Sequence, residues 1–492
     1  MSALAFGPFR LDQKTATLTR DGAMVALSPR LAQVLACLAD ARGGLVTREL
    51  LLDRFWPDVI VTDNTLTRAI ADIRKVLDDD PAAPTYIQTL ARRGYRFIAT
   101  VVDDASDPGT AAGSVPIGQP LAGLEPFIAW ERGRAALESL DVDALPGAAE
   151  AFSRAVEGAP SYAAAHAGLA NAHIFRFEST RVDNTPDLAA LASAVAAARR
   201  ATELDATLGE AWAALGHALA GEGQVEEARA ALRQALVVEP RNWRHHYRMA
   251  VATWGEERLR SVERAESLLP GFPGTQTLAA MVWLARQALG AAVDAAARGA
   301  EAQAAQTDHG LYPANGLRWM RGLTAAATGD LASAMDDFHA EATTSSAAHG
   351  VYARECAVLA HESFGFALVA RGDAPDARHA LAAAEVRSPG HARAVLGLAV
   401  ADGHAIEAVG RVSSACDTLT ASGKHAERLL VLAAAHAWAG QPDEGLALAE
   451  QAIDTPRPDT TGWSLPAEPM FAPLRSAAGY ARLAAHLASR AS

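Results

Sequence analysis

The sequence predicts a mostly α protein, in which a small N-terminal α+β domain precedes a long all-α solenoid. Length is the first reason: 492 residues exceed one ordinary domain and suit a small domain joined to a repeat array. Composition is the second. Half of the residues are hydrophobic, yet only 6% are aromatic and 21% charged. That balance favours closely packed helices with small side chains over a β-sandwich or a disordered chain. The third is how charge is distributed. The formal charge of −13 argues against a nucleic-acid partner if taken as an average. Residues 1–100, however, carry 13 Lys and Arg against 11 Asp and Glu, a net of +2, leaving −15 for the other 392.

The elements follow in order. Short apolar stretches at Ala5–Leu11, Thr15–Leu18 and Met24–Leu27 predict a small antiparallel sheet, with Asp21-Gly22 as a hairpin signal between the last two. Ser28 is placed to cap a first helix that opens on Pro29, carries Leu31, Val34, Leu35 and Leu38, and ends at Gly43-Gly44. Thr47 is placed to cap a second, from Arg48 to about Phe55, which Trp56-Pro57 stops. A third opens at Thr62 or Asp63 and shows an apolar stripe at Leu66, Ile70, Ile73 and Leu77. Asp78-Asp79-Asp80-Pro81 closes it. Tyr86–Leu90 and Tyr95–Ala99 then flank the turn Ala91-Arg92-Arg93-Gly94 as a hairpin.

Residues 101–120 have the Asp, Gly, Ser and Pro content of a linker, which puts the domains at 1–100 and 121–492. Beyond it the chain is helical and repetitive. Ala148, Phe152, Ala155 and Pro160 set a spacing of four, three and five that returns at Ala194, Ala198, Ala201 and Ala206. Ala228, Leu232, Ala235 and Pro240 repeat it 34 residues later, preceded by Trp212, Leu215 and Gly216. Gly322, Ala334 and Phe338 continue the series, then Gly365, Ala377, Leu381, Ala384 and Pro389, and more weakly Gly445, Ala449 and Ala452. Short side chains at these positions let antiparallel helices approach and stack around a groove. These positions resemble tetratricopeptide repeats. The register blurs at 241–315 and 391–425, where less regular helical pairs are expected.

The order of strands, three helices and hairpin resembles the winged helix-turn-helix domain of OmpR/ToxR-type transcription regulators. Leu27-Ser28-Pro29, Val46-Thr47-Arg48-Glu49-Leu50-Leu51, Phe55-Trp56-Pro57, the run Asp63–Leu77 and Tyr86-Ile87-Gln88-Thr89 carry the resemblance. Its ending, Arg92-Arg93-Gly94-Tyr95-Arg96-Phe97, has the form of the CadC/ToxR branch. The resemblance implies that the third helix is a recognition helix for double-stranded promoter DNA. The helix wheel agrees: Asn64, Arg68, Ala71 and Lys75 lie opposite the apolar stripe, Asp72 beside them, and Thr67 and Arg74 on the flanks. With Thr65 these form the expected reading face. Arg92 and Arg93 of the wing, with Arg96 behind them, are expected at the minor groove or its phosphates. Thr47 and Arg48 resemble phosphate anchors at a helix N-terminus. Asp72 stands where the family often has a basic residue, and Ala91 replaces a common wing arginine. Asp72 either accepts from a cytosine amine or pairs with Arg68 one turn away.

Blander readings stand beside these. Arg74 and Lys75 also suit a solvated helix face, Arg92 and Arg93 ordinary turn charge, and Phe55 and Trp56 core packing. Val59-Ile60-Val61 suits a contact with RNA polymerase, implied by the family, and equally packing. Enzyme signals are thin. His361-Glu362 lacks a second histidine, Gly423-Lys424 lacks the frame of a phosphate loop, and no His or Cys pair has a third ligand at metal spacing. The chain is therefore expected to be no enzyme and to need no cofactor or metal. Cys37, Cys356 and Cys416 are scattered and odd in number, which fits a reducing compartment. With no secretory start and no membrane-length apolar run, the expected location is the cytoplasm. The leading reading is a transcription regulator, more often an activator by family precedent, whose array senses a small ligand, binds a partner protein or dimerises the chain. The alternative is an interaction scaffold whose winged helix binds protein.

Overall fold

The computed structural model describes residues 3–12, 17–21, 23–25, 27, 29–55, 63–81, 83–90, 94–104, 125–305, 316–421, 423–455 and 461–492. These fall into two compact units, Met1–Glu131 and Arg132–Ser492. The expected features at Ser28, Trp56, Val59–Val61, Thr62, Arg92, Arg93 and 105–120 lie outside the described residues.

The first unit opens with strands β1 (Ala3–Phe6), β2 (Phe9–Asp12), β3 (Thr17–Arg20) and β4 (Ala23–Val25). The apolar stretch Ala5–Leu11 is thus two strands and not one. Gly7, at φ +56°, and Pro8 turn the chain so that Phe6 pairs with Phe9. In β2, Phe9 and Leu11 are buried while Arg10 is exposed, the two-residue alternation of a sheet with one wet face. Helices α1 (Pro29–Asp40), α2 (Arg48–Phe55) and α3 (Asp63–Leu77) follow as expected. Val34, Leu35 and Leu38 of α1 pack with Leu66, Ile70, Ile73 and Leu77 of α3 in one core. Full burial of each such side chain stabilises by roughly 1.5–3 kcal/mol.

Strands β6 (Ile87–Leu90) and β7 (Gly94–Phe97) make the hairpin, and the sequence misses the third member of their sheet, β5 (Leu45–Thr47). Gly94 explains how β5 lies so close to β7. Its φ is +147°, and a Cβ there would press into the Val46 carbonyl oxygen. The first sheet gains β8 (Val102–Asp104), antiparallel to β1, in the order β4-β3-β2-β1-β8. Residues 102–104, read as linker, therefore belong to the sheet, because the free edge of β1 takes up their backbone groups. Phe6 joins the sheet to the hairpin, with its ring 5.0 Å from that of Phe97 and 6.0 Å from that of Tyr86, both edge-on.

The second unit is all helical. After α4 (Glu125–Glu138), in which the two units divide, come α5 (Leu145–Gly158), α6 (Ala163–Thr180), α7 (Leu188–Leu204), α8 (Gly209–Gly221), α9 (Val225–Val238), α10 (Trp243–Ala252) and α11 (Gly255–Leu268). The series continues with α12 (Gly274–Ala285), α13 (Leu289–Ala305), α14 (Leu317–Ala327), α15 (Leu331–Ser346), α16 (Ala353–Arg371) and α17 (Ala374–Arg387). It ends with α18 (Ala392–Ala401), α19 (Ala405–Ala421), α20 (His425–Trp438), α21 (Pro442–Ile453), α22 (Ala472–Arg475) and α23 (Tyr480–Arg490). From α6 on, each even-numbered helix packs on the next through α21, including the stretches where the repeat spacing blurs.

The repeat positions are the seams of these pairs. Ala228, Leu232 and Ala235 are wholly buried, as are Ala334 and Phe338, and Ala377, Leu381 and Ala384. Each glycine faces the bulky member of its pair: a Cβ on Gly216, Gly322 or Gly365 would come within 2.5–2.6 Å of Leu232, Phe338 or Leu381. A missing side chain on one helix makes room for a large one on the next. The second unit is an all-α array of tetratricopeptide type. Among the described residues no helix is long and apolar enough to cross a membrane.

Candidate nucleic-acid interface

The reading face is built by one helix with two unlike sides. Leu66, Ile70, Ile73 and Leu77 turn into the core, while Thr67, Arg68, Ala71, Asp72 and Lys75 are exposed on α3. Asn64 and Thr65 lie in its first turn, and their side chains fall outside the described residues. Among the described residues Arg68 and Asp72 form no ion pair with each other, so the pairing considered for them is not made and both side chains face outward.

Arg74 is placed differently. Its Nη2 donates to the Ile87 carbonyl at 2.7 Å and to the Thr89 hydroxyl at 2.8 Å. Its Nε lies 3.7 Å from Asp79, and only 12% of the side chain is exposed. Arg74 thus braces the hairpin strand β6 against α3, away from the exposed face. The sequence missed the partner of this brace. Asp79 is buried and accepts from three successive amides, Thr85 at 2.6 Å, Tyr86 at 3.0 Å and Ile87 at 2.9 Å. Read as one of three helix-ending aspartates, it gave no local signal, since its amides arrive only when the chain folds back.

The start of α2 is built as the sequence implies. Thr47 Oγ1 accepts from the Leu50 amide at 3.2 Å and caps the helix. Arg48 reaches the Tyr95 hydroxyl at 3.2 Å and Thr67 Oγ1 at 3.4 Å, with its guanidinium 5.9 Å from the Tyr95 ring centre. These contacts bring α2, α3 and the hairpin to a common point beside the exposed face. Arg96, on β7, is half-buried between its strand neighbours Leu45 and Gln88. Arg92 and Arg93 are not among the described residues.

Residues 22–97 match the family described as Transcriptional regulatory protein, C terminal. The N-terminal unit carries a winged helix-turn-helix domain of the OmpR/PhoB type. Its sequence is 34% identical over 93 residues to the transcriptional activator CadC of Escherichia coli strain K12, covering 19% of this chain and 18% of CadC. The chain thus matches less than a fifth of that relative. Among solved structures, the DNA-binding domain of E. coli CadC is 31% identical, covering 21% of this chain and 96% of that one with a TM-score of 0.19. For the winged helix, the array stands outside these matches. The tetratricopeptide domain of Arabidopsis OM64 covers 27% of the chain and 96% of its own length, at 20% identity and a TM-score of 0.22.

Proposed function

We propose that this protein is a sequence-specific regulator of transcription that binds double-stranded promoter DNA through α3 and acts as an activator. The observation that carries this reading is the division of α3. Four apolar side chains anchor it, and Arg68, Ala71, Asp72 and Lys75 stand free on the other side, where a helix in the major groove meets base edges. Asn64, Thr65 and Thr67 extend the face toward the helix N-terminus. Thr47 and Arg48 hold a backbone phosphate at the start of α2, while Arg92, Arg93 and Arg96 serve the wing. The first unit, with the sheet that β8 completes, forms the reader and the helical array the receiving module, which takes a small ligand, a partner protein or a second copy of the chain. RNA polymerase is the partner at the promoter, and the cytoplasm is the place of action.

A salt titration of DNA binding by the full chain tests this. Arg68→Ala is expected to weaken binding to the preferred site by about 1–3 kcal/mol with little effect on random duplex. Arg93→Ala is expected to weaken binding to every sequence and to flatten the salt slope by about one. If neither variant differs from the parent, or binding does not depend on salt, α3 is not a DNA reader and the scaffold reading takes its place.

A further inference from the structure

A partly enclosed cavity of about 170 Å³ lies among helices α6 to α10 of the array. Ile174, Phe177, Leu191, Val225 and Val251 give it apolar walls. A cavity of about 150 Å³ with such walls is enough to hold one benzene ring in an engineered protein. This cavity differs in having a polar end, made by Glu178, His217 and Arg181.

The chemistry of that end restricts the occupant. Glu178 is buried, and its Oε1 lies 2.9 Å from His217 Nε2 while Oε2 accepts the Tyr352 hydroxyl. An ionised carboxylate offers about four acceptor sites, so two remain. Arg181 is engaged elsewhere, with its Nε 2.7 Å from Glu355 and its guanidinium over the Tyr352 ring. An anionic ligand would meet Glu178, with the nearest cation, Arg181, already paired to Glu355. An ammonium ligand would shed its water among apolar walls to reach a carboxylate that His217 and Arg181 already offset. A neutral donor escapes both penalties.

We propose that this cavity binds a small neutral molecule with one aromatic ring and one hydrogen-bond donor, a phenol in the simplest case, with the donor on Glu178 and the ring among the apolar walls. Glu178 also holds Tyr352, the residue before α16, so the occupant sits against a contact between distant repeats. The inference rests on the array alone and goes beyond the DNA-binding reading.

Calorimetric titration of the full chain with phenol, toluene, benzoate and benzylamine tests it. Phenol is expected to bind one per chain, about tenfold or more tighter than toluene, as one hydrogen bond to a charged acceptor allows. Benzoate is expected not to bind and benzylamine to bind more weakly than phenol. Val225→Phe fills the cavity and is expected to abolish phenol binding while the unfolding midpoint and DNA affinity stay at the parent values. Should that variant unfold, Glu178→Gln keeps the shape and is expected to bring phenol down to the affinity of toluene. The proposal is overturned by phenol that does not bind at millimolar concentration, by phenol no tighter than toluene, by benzylamine or benzoate binding more tightly, or by full binding to both variants. Phenol binding in a chain that ignores DNA would sink the regulator reading and leave this one intact.

Discussion

Arg68 and Arg74 stand on one helix and have opposite surroundings. Six residues at 100° each put them about 120° apart, enough to move a guanidinium from solvent to the strand beside it. The consequences of removing them should differ accordingly. Arg74→Ala leaves the Ile87 carbonyl and the Thr89 hydroxyl without their donor. It is expected to destabilise the first unit by about 1–3 kcal/mol, the range for a lost hydrogen bond to a charged group. Asp79→Ala should cost more, about 3 kcal/mol, because three amides lose one acceptor together and the Ile87 amide is buried. Amide hydrogen exchange at residues 85–90 of the full chain reads both effects. Equal protection in parent and Asp79→Ala would mean that the hairpin does not depend on this carboxylate. Gly94 is the third such point: Gly94→Ala presses a methyl against Val46 and is expected to part β5 from β7 in the same measurement.

At the level of elements, periodic stretches were legible and short ones were not. Helices α1 and α3 announce themselves because three or four apolar side chains recur at helical spacing and all turn inward. The three residues of β5 and of β8 hold too little pattern to show a period, and their pairing depends on strands 49 and 97 residues away in Val46↔Tyr95 and Ala5↔Val102 order. The exposed side of α3 was legible for the same reason as its buried side; the brace from Arg74 to β6 was not, since nothing local distinguishes a surface arginine from one facing a strand. In the array, legibility lay in volume. Gly365 and Leu381 complement each other between α16 and α17, so Gly365→Ala should overpack that seam by about 1–3 kcal/mol. In the double variant with Leu381→Ala the penalty of the added methyl should largely vanish, because its neighbour has gone. Thermal unfolding of the four chains checks the cycle, and simple additivity would show that the two residues do not share the seam.

Across the whole array, two kinds of contact hold the chain in different directions. Along the stack, successive helices bury Ala, Leu and Phe. Across it, the loop between α6 and α7 meets α16, α17 and α18, and the contact is mostly polar. Arg354 grips Asp183 at 2.6 and 2.7 Å and the Ser179 carbonyl at 2.8 Å, Asn184 donates to the Gly390 carbonyl at 2.6 Å, and Val182 packs with Val358, Ala384 and Ala394. The groove expected from stacked pairs is therefore bridged by the array's own loop. Glu178 lies beside this bridge and gives it a dependence on pH. Burial alone would raise its carboxyl, but the charge and hydrogen bond of His217, the charge of Arg181 and the Tyr352 hydroxyl prevail and lower it to about 2. A carboxylate depressed on folding adds stability that is fully present above its unfolded value of 4.5 and is lost as pH falls from there toward 2. The size is on the order of 3 kcal/mol. Chemical unfolding of the full chain between pH 5 and pH 2 should therefore show a steeper loss of array stability in the parent than in Glu178→Gln, whose side chain does not titrate. Arg354→Ala removes the neighbouring grip without touching the carboxylate, so it should lower stability at every pH and keep the parent's slope. Identical slopes in the parent and Glu178→Gln would mean that Glu178 carries no folding-linked charge, and that the cross-array contact is held by its other side chains, Arg354, Asn184 and Val182 among them.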